Sequence, residues 1–297
     1  MIRPLPHLAV FAAVYVTAAV VCAAQVMDAT HALTPVSLLF TWSTALLAYL
    51  LDRIKLRDAW LDPADEAAHP ARFAFLFAHR HTARLLMAAA ALGSLISGWM
   101  LHPIATAGTG ATIAGVLIYA GRPRPPGAAP RVKDRFILKN LFVGTGIAAF
   151  AVVVVWLAAA RGPGSVREGL STLIPLPFTP LLVTLTLGYL TLRVYADAVL
   201  CDIDDEPADR IHDTRTLPTR IGGEGAWRAA MWLRLVLAAS LLIWPVGPFA
   251  PRAAWAGFSA LSTILLRWWR PPKIRDLVDA RFGVEAACVG VALLFTP

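Results

Sequence analysis

Long apolar runs separated by short polar segments set the pattern along this chain. A run of about 20 apolar residues is long enough to cross a bilayer as a helix. The pattern predicts nine such spans, at roughly residues 7–27, 33–51, 84–101, 104–120, 137–160, 176–200, 227–246, 250–266 and 283–296. The expected fold class is therefore an all-α integral membrane protein, a single domain built as a bundle of about nine transmembrane helices.

Composition agrees with that prediction. The chain has 297 residues, of which 58% are apolar and only 15% are charged. A soluble protein of this length cannot use so much apolar surface. The three cysteines are far apart in the sequence, so they form neither a metal-binding spacing nor a disulfide framework.

Basic residues are concentrated in alternate polar segments, near residues 52–83, 121–136, 201–226 and 267–282. Lysine and arginine favour the cytoplasmic side of a membrane, so we expect these segments to be cytoplasmic cap loops. The amino terminus is then cytoplasmic, and the expected location is a bacterial inner (cell) membrane. The net charge of +8 follows from this topology, and no nucleic-acid partner is implied.

The most informative polar stretch, DAVLCDIDDEPADRIHDTRTLPTRIG, covers residues 197–222. Within it Asp202, Asp205 and Asp209 have the spacing i, i+3, i+7, which places three carboxylates on one face of a helix. Like charges held this close are unfavourable unless a cation lies between them. Oxygen ligands of this kind suit Mg²⁺, which completes its shell with water and substrate phosphate. The stretch therefore predicts a magnesium-diphosphate site at the membrane edge.

A simpler interpretation of the same stretch is a solvated acidic loop beside a helix end. Pro207 bears on the choice, because it cannot donate a hydrogen bond to the Ile203 carbonyl and it disfavours helix at Glu206. We therefore expect the helix to kink or to end inside the motif.

Two further segments carry candidate residues. Asp52 falls where the second apolar run ends, with Arg53 beside it; an ionisable residue there is a functional candidate, although the pair also fits a plain interfacial charge cluster. Lys133, Lys139 and Asn140 lead into the fifth run. A lysine at a cavity mouth can pair with phosphate as a point charge, or it can simply anchor the helix at the lipid headgroups.

Several other charged residues are assigned no chemistry. Arg193 and Arg234 lie inside predicted spans, where an arginine is costly unless it faces the bundle interior or reaches the interface. We expect residues 62–81 to form a solvated loop. The segment PPKIRDLVDARFG, residues 271–283, is expected to be a short interfacial helix whose charges are solvated.

With these residues in view, the chain resembles the UbiA-type membrane prenyltransferases, which include 4-hydroxybenzoate polyprenyltransferases. The strongest match is CDIDDEPADRIHDTRTLPTRIG, against a family pattern of N-D-x-x-D-x-x-x-D followed by a basic residue and Thr-Leu-Pro/Ala-x-Arg-Leu-Gly. The run from Lys139 to Leu141 is similar to the Lys-Asn segment of the family. The first acidic motif, N-x-x-x-D, matches only at Asp52, because Ala48 and Leu56 stand at the flanking positions. Asp58 and Asp62 could supply the missing ligands from a shifted register.

The resemblance implies Mg²⁺-dependent transfer of a polyprenyl group from a prenyl diphosphate to a lipophilic acceptor, aromatic in most of the family, within the membrane lipid. It implies catalytic roles for Asp52, Asp205, Asp209 and Lys139. It implies metal ligands at Asp52, Asp58, Asp202, Asp205 and Asp209, and substrate contacts at Lys139, Asn140, Arg215, Arg53, Lys133 and Arg220.

Two alternatives remain open at this point. A CDP-alcohol phosphatidyltransferase also clusters Asp residues at a membrane surface, but this chain lacks the D-G-x-x-A-R run of that class and has too many spans. A non-catalytic membrane protein or a transporter on the same bundle is the second alternative, and the degraded first Asp motif favours it.

Overall fold

The computed structural model describes residues 8–54, 63–120, 132–160, 178–212, 214–269 and 274–294. In these ranges the chain forms α-helices and short 3-10 turns, without a β-strand. The α-helices are α1 Val10–Val26, α2 Pro35–Ile54, α3 Pro63–Ala68, α4 Pro70–Ala78, α5 Arg80–Leu101, α6 Pro103–Ala120, α7 Leu138–Ala160, α8 Pro180–Ile211, α9 Leu217–Ser240, α10 Phe249–Trp269 and α11 Arg275–Leu294.

The predicted fold class is confirmed by these helices. In the described ranges, six helical segments are long and apolar enough to cross a membrane: α2, α5, α6, α7, α8 and the segment Leu217–Ile243 that contains α9. The apolar α1 is shorter than these six. The chain is thus an integral membrane protein, while the count of nine spans stays a prediction.

Helix α1 lies in the centre of the bundle and packs against α2, α7, α8 and α11. Most of its side chains are buried, and many of them are alanines. Small side chains let neighbouring helices approach closely in a membrane bundle, where association depends on packing. The alanine-rich helix α1 therefore forms the core against which these four helices pack.

The motif helix α8 does not end at Pro207, as its sequence had suggested, but continues to Ile211. Helix α9 then begins at Leu217, so much of the predicted cap loop 201–226 is helical. Because α8 is continuous through the motif, its acidic residues keep the one-sided arrangement that their spacing predicted.

Helices α7 and α8 approach closely at Gly144. A Cβ atom built there would lie 2.7 Å from the carbonyl oxygen of Thr191, whereas one at Gly146 would meet nothing within 4 Å. This approach, six residues after the start of α7 at Leu138, sets the distance between α7 and the acidic motif.

Five charged side chains form a buried cluster between α8, α9 and α11, which we call the core ion cluster. Its members are Arg193, Asp197, Arg234, Arg281 and Glu285. Arg193 and Arg234 both contact Glu285, while Arg281 donates to Asp197 Oδ1 at 3.0 Å. The two arginines inside predicted spans therefore face the bundle interior, each beside an acidic partner.

Neutral side chains complete this cluster. Tyr15 donates to Asp197 Oδ2 at 2.9 Å, and Arg193 and Arg234 donate to Ser259 and Thr263 at 2.6 and 3.0 Å. Removing one member of a buried ion pair leaves an uncompensated charge in low dielectric, which costs far more than losing a surface pair. The cluster therefore locks α8, α9 and α11 in one relative arrangement.

We predict that Glu285→Gln lowers the free energy of unfolding by about 3–5 kcal/mol, because two buried arginines lose their shared carboxylate. Thermal and denaturant unfolding of the purified protein would measure the loss. Glu224→Gln is the matched control, since Glu224 pairs with Arg228 and Arg267 and its side chain is 41% exposed. Equal stability of the two variants would contradict this account.

We also predict that Gly144→Ala destabilises the bundle by about 1–3 kcal/mol, because the added methyl group forces α7 away from the Thr191 carbonyl. Gly146→Ala, two residues further along the same helix, should leave stability unchanged or slightly higher. Unfolding midpoints of the two variants under identical detergent conditions provide the comparison. A destabilised Gly146→Ala protein would show that helix packing at Gly144 is not the cause.

Candidate active site

A polar cavity of about 250 Å³ lies beside the C-terminal half of α8. Residues from α1, α2, α7, α8, α11 and the α3–α4 segment line it. Its charged lining consists of Asp52, Asp65, Asp134, Asp197, Asp202, Asp205, Asp209 and Asp279, with Arg53, Arg72, Lys133, Lys139 and Arg275. Such a dense mixture of both charges is suited to a ligand that carries charge of its own.

Most of the site residues predicted from sequence line this polar cavity: Asp52, Arg53, Lys133, Lys139, Asn140, Asp202, Asp205 and Asp209. Arg215 and Arg220 do not line it and are exposed on the surface. The guanidinium of Arg220 lies 4.2 Å from the ring centroid of Phe136. Asp58 and Asp62 lie outside the described residues.

Asp202 is held by the first turn of α7. Lys139 Nζ lies 2.7 Å from its Oδ1, and Asn140 Nδ2 donates to its Oδ2 at 2.7 Å. Only 2% of Asp202 is exposed, so both carboxylate oxygens are satisfied by protein donors rather than by water. The close approach at Gly144 makes this contact possible, and Asp202 in turn fixes the Lys139 ammonium at the cavity wall.

Asp205, one turn further along α8, has partners from two distant segments. Arg275 donates to its Oδ2 at 2.5 Å, and His69 Nε2 lies 3.0 Å from its Oδ1. Burial lowers the pKa of His69, which keeps the imidazole neutral near pH 7. Two segments predicted to be solvated, 62–81 and 271–283, therefore each place a side chain in the cavity; that part of the prediction was wrong.

Asp209 completes the acidic face of α8. It is only 7% exposed, yet its Oδ2 has no hydrogen-bond partner among the described residues. A buried carboxylate oxygen in that condition is unfavourable unless a cation or water reaches it. Asp205 lies one helical turn before it, on the same face.

This arrangement fits one Mg²⁺ ion. Magnesium commonly takes one or two carboxylates and completes its octahedral shell with water and phosphate oxygens. Asp205 and Asp209 would supply the two carboxylates. No group of three or more His, Cys, Asp or Glu side chains among the described residues is arranged as an all-protein metal cage. Asp202, already bound through both oxygens, is the least accessible of the three carboxylates.

A second cavity, of about 400 Å³, adjoins the polar one between α2, α6 and α7. Its lining is apolar and includes Ala48, Gly108, Gly115, Gly146 and Phe150. The two cavities share Tyr49, Asp52, Tyr119, Val143 and Ile147. A single ligand with a charged head and an apolar tail can therefore occupy both.

The sequence did not indicate the roles of His69, Arg275 or Asp279. Each lines the polar cavity, and none belongs to a recognisable motif. The sequence held only a weak signal for these roles: the three residues lie in segments that were predicted to be on the same side of the membrane as the acidic motif. Only the packing of α3 and α11 against α8 brings these residues to the motif.

Comparison with known proteins places this site in a family. A model of the UbiA prenyltransferase family matches residues 77–283. A search of curated proteins gave no match.

Two solved structures share the fold. The apo structure of a UbiA homolog from Aeropyrum pernix K1 superposes with a TM-score of 0.61 at 16% identity, covering 95% of this chain and 98% of that chain. A structure described for digeranylgeranylglyceryl phosphate synthase superposes with a TM-score of 0.52 at 12% identity, covering 98% and 95%. The family match spans most of the chain and includes the whole acidic motif, so this protein belongs to the UbiA prenyltransferase family.

Proposed function

We propose that the protein transfers a polyprenyl group from a prenyl diphosphate to an aromatic, lipophilic acceptor within the membrane, in a Mg²⁺-dependent reaction. The observation that carries this proposal is the junction of the two cavities. The carboxylates of the partly buried Asp205 and the buried Asp209 lie in the polar cavity, and an apolar cavity begins at Asp52 and Tyr49. A prenyl diphosphate has the same division into a charged head and an apolar tail.

The diphosphate end is assigned to the polar cavity. Asp205 and Asp209 would hold Mg²⁺, which when bound stabilises the negative charge on the departing diphosphate as the carbon–oxygen bond breaks. Lys139 is held in place by Asp202 and presents a fixed positive charge to the same oxygens. Because that ammonium is already oriented, it stabilises developing charge without a cost of reorganisation.

The prenyl end is assigned to the apolar cavity. Small residues such as Ala48, Gly108, Gly115 and Gly146 leave room there, and Phe150 closes part of the wall. An allylic cation formed by loss of diphosphate must be kept away from water until the acceptor attacks. A cavity with few polar groups in its lining meets that requirement.

The first acidic motif, around Asp52, differs from the usual family pattern. Ala48, where the family has Asn, lies in the wall of the apolar cavity, and Arg53 follows Asp52 into the polar one. We keep Asp52, together with Asp58, as a proposed second metal position. Lys133 and Arg53 are proposed diphosphate contacts, whereas the exposed Arg215 and Arg220 would need to move to reach the cavity.

The apolar residue at Ala48 also favours a second candidate function, a transporter or non-catalytic protein on the same fold. Such a protein would bind an amphipathic ligand in the joined cavities without cleaving it. Mg²⁺-dependent release of diphosphate separates the two functions.

We predict that Asp209→Asn lowers the rate of diphosphate release by about 100- to 1,000-fold, because the variant loses a proposed ligand of the Mg²⁺ ion that would stabilise the charge on the departing diphosphate. Purified protein in membranes would be given geranyl, farnesyl and geranylgeranyl diphosphates with lipid extract, with and without Mg²⁺. Mass spectrometry would follow the prenylated products.

Glu206→Gln serves as the control for Asp209→Asn. Glu206 lies on the same helix, pairs with Arg210 and does not line the polar cavity. It should retain the wild-type rate. Failure of the wild-type protein to release diphosphate from any donor would sink the enzymatic proposal in favour of the second candidate.

We further predict that Lys139→Met lowers the reaction rate by about 10- to 100-fold, the value of one charge-assisted hydrogen bond. The variant should also lose stability, because Asp202 is left with one partner. The double variant Lys139→Met with Asp202→Asn should regain stability without regaining rate. Recovery of both by the double variant would show that Lys139 serves only to neutralise Asp202.

A further inference from the structure

We propose that Arg275 is a diphosphate-binding residue that occupies the position of the metal ion at Asp205 until substrate arrives. The inference rests on the proposed function and extends it to a residue outside both acidic motifs. Arg275, the first residue of α11, would thereby couple the binding of the metal ion to the binding of diphosphate.

The first observation is the position of the guanidinium group. It donates to Asp205 Oδ2 at 2.5 Å, and its other terminal nitrogen lies 2.5 Å from His69 Nε2. The Arg275 side chain is 22% exposed and lines the same polar cavity as Asp209. A cation supplied by the chain itself therefore lies against the carboxylate that the metal ion requires.

The second observation is the anchoring of the Arg275 backbone. Asp204 Oδ2 accepts hydrogen bonds from the backbone N–H groups of Ile274 and Arg275, at 2.8 and 3.0 Å. A carboxylate at the start of the 20-residue α11 satisfies otherwise unpaired donors and interacts favourably with the helix dipole. Ile274 is buried as well. The backbone of Arg275 is thus fixed beside the motif, whichever partner its guanidinium takes.

Electrostatic repulsion would make the Arg275 guanidinium exchange Asp205 for the diphosphate when the metal ion binds. Mg²⁺ bound at Asp205 would repel a guanidinium that remained on the same carboxylate. A diphosphate offers that guanidinium a pair of oxygens in the bidentate geometry that arginine favours. Metal without diphosphate must displace Arg275 with no compensation, whereas metal with diphosphate gives Arg275 a new partner. The two ligands therefore favour each other, and the coupling is reciprocal.

This account requires opposite effects from one substitution. Loss of the guanidinium frees Asp205, so metal alone should bind more tightly. The same loss removes a phosphate contact, so diphosphate should bind more weakly in the presence of metal. An arginine that only stabilised the fold would not move the two affinities in opposite directions.

The test uses the purified full-length chain with Mn²⁺, a paramagnetic substitute for Mg²⁺, titrated by electron paramagnetic resonance with and without inorganic diphosphate. In Arg275→Gln we expect Mn²⁺ alone to bind about 5-fold more tightly or better, and inorganic diphosphate to bind about 10-fold more weakly in saturating Mn²⁺. Arg228→Gln is the control, because Arg228 pairs with Glu224 on the surface and does not line the polar cavity. It should change neither affinity.

Arg275→Lys covers the case in which the Gln variant does not fold. It keeps the positive charge at Asp205, so Mn²⁺ affinity should stay near wild type, while loss of the bidentate contact weakens diphosphate binding about 5-fold or more. Unchanged diphosphate binding in this variant would overturn the proposal, as would unchanged or weaker Mn²⁺ binding in Arg275→Gln.

The outcomes also separate this inference from the proposed function. If wild-type protein releases diphosphate from a prenyl donor but Arg275→Gln leaves both affinities unchanged, only the role of Arg275 is overturned. If wild-type protein binds neither Mn²⁺ nor diphosphate and releases none from any donor, the proposed function fails and the role of Arg275 fails with it.

Discussion

The carboxylates on the C-terminal half of α8 are constrained by one requirement: a charge removed from water needs an opposite charge or hydrogen-bond donors beside it. Three of these carboxylates meet that need through different neighbours. Asp197 joins the core ion cluster, Asp202 binds the first turn of α7, and Asp204 binds the first backbone amides of α11. The pairing of successive charges along one helix thus fixes the positions of the helices around it.

The same requirement explains where the site is open. Asp205 is shared between the side chains of His69 and Arg275, which come from segments far from α8 in sequence, and Asp209 keeps one oxygen without a described partner. Each charge of the core ion cluster therefore has an opposite charge beside it, whereas at the cavity one buried carboxylate oxygen has no described partner. A site that must hold its shape while it accepts a charged ligand needs rigid packing around the core ion cluster and exchangeable partners at the polar cavity.

The joined cavities connect this electrostatic arrangement to prenyl chemistry. A tail placed between α2, α6 and α7 directs the head of the same ligand toward Lys139 and the acidic face of α8. The departure from the family pattern at Ala48 falls at the boundary between the two cavities. It removes a polar group from the apolar wall and leaves the α8 carboxylates untouched, so the two halves of the family's metal site need not contribute equally here.

Local features of the sequence determined the membrane helices and the acidic face of α8. Apolar runs of spanning length and an i, i+3, i+7 spacing depend only on residues close together in the chain, and the family motif could be identified for the same reason. The partner of each charge was decided by tertiary structure. Arg275 meets Asp205 and Glu285 meets Arg193 because helices far apart in sequence present particular faces to each other, and no local pattern encodes which faces those are.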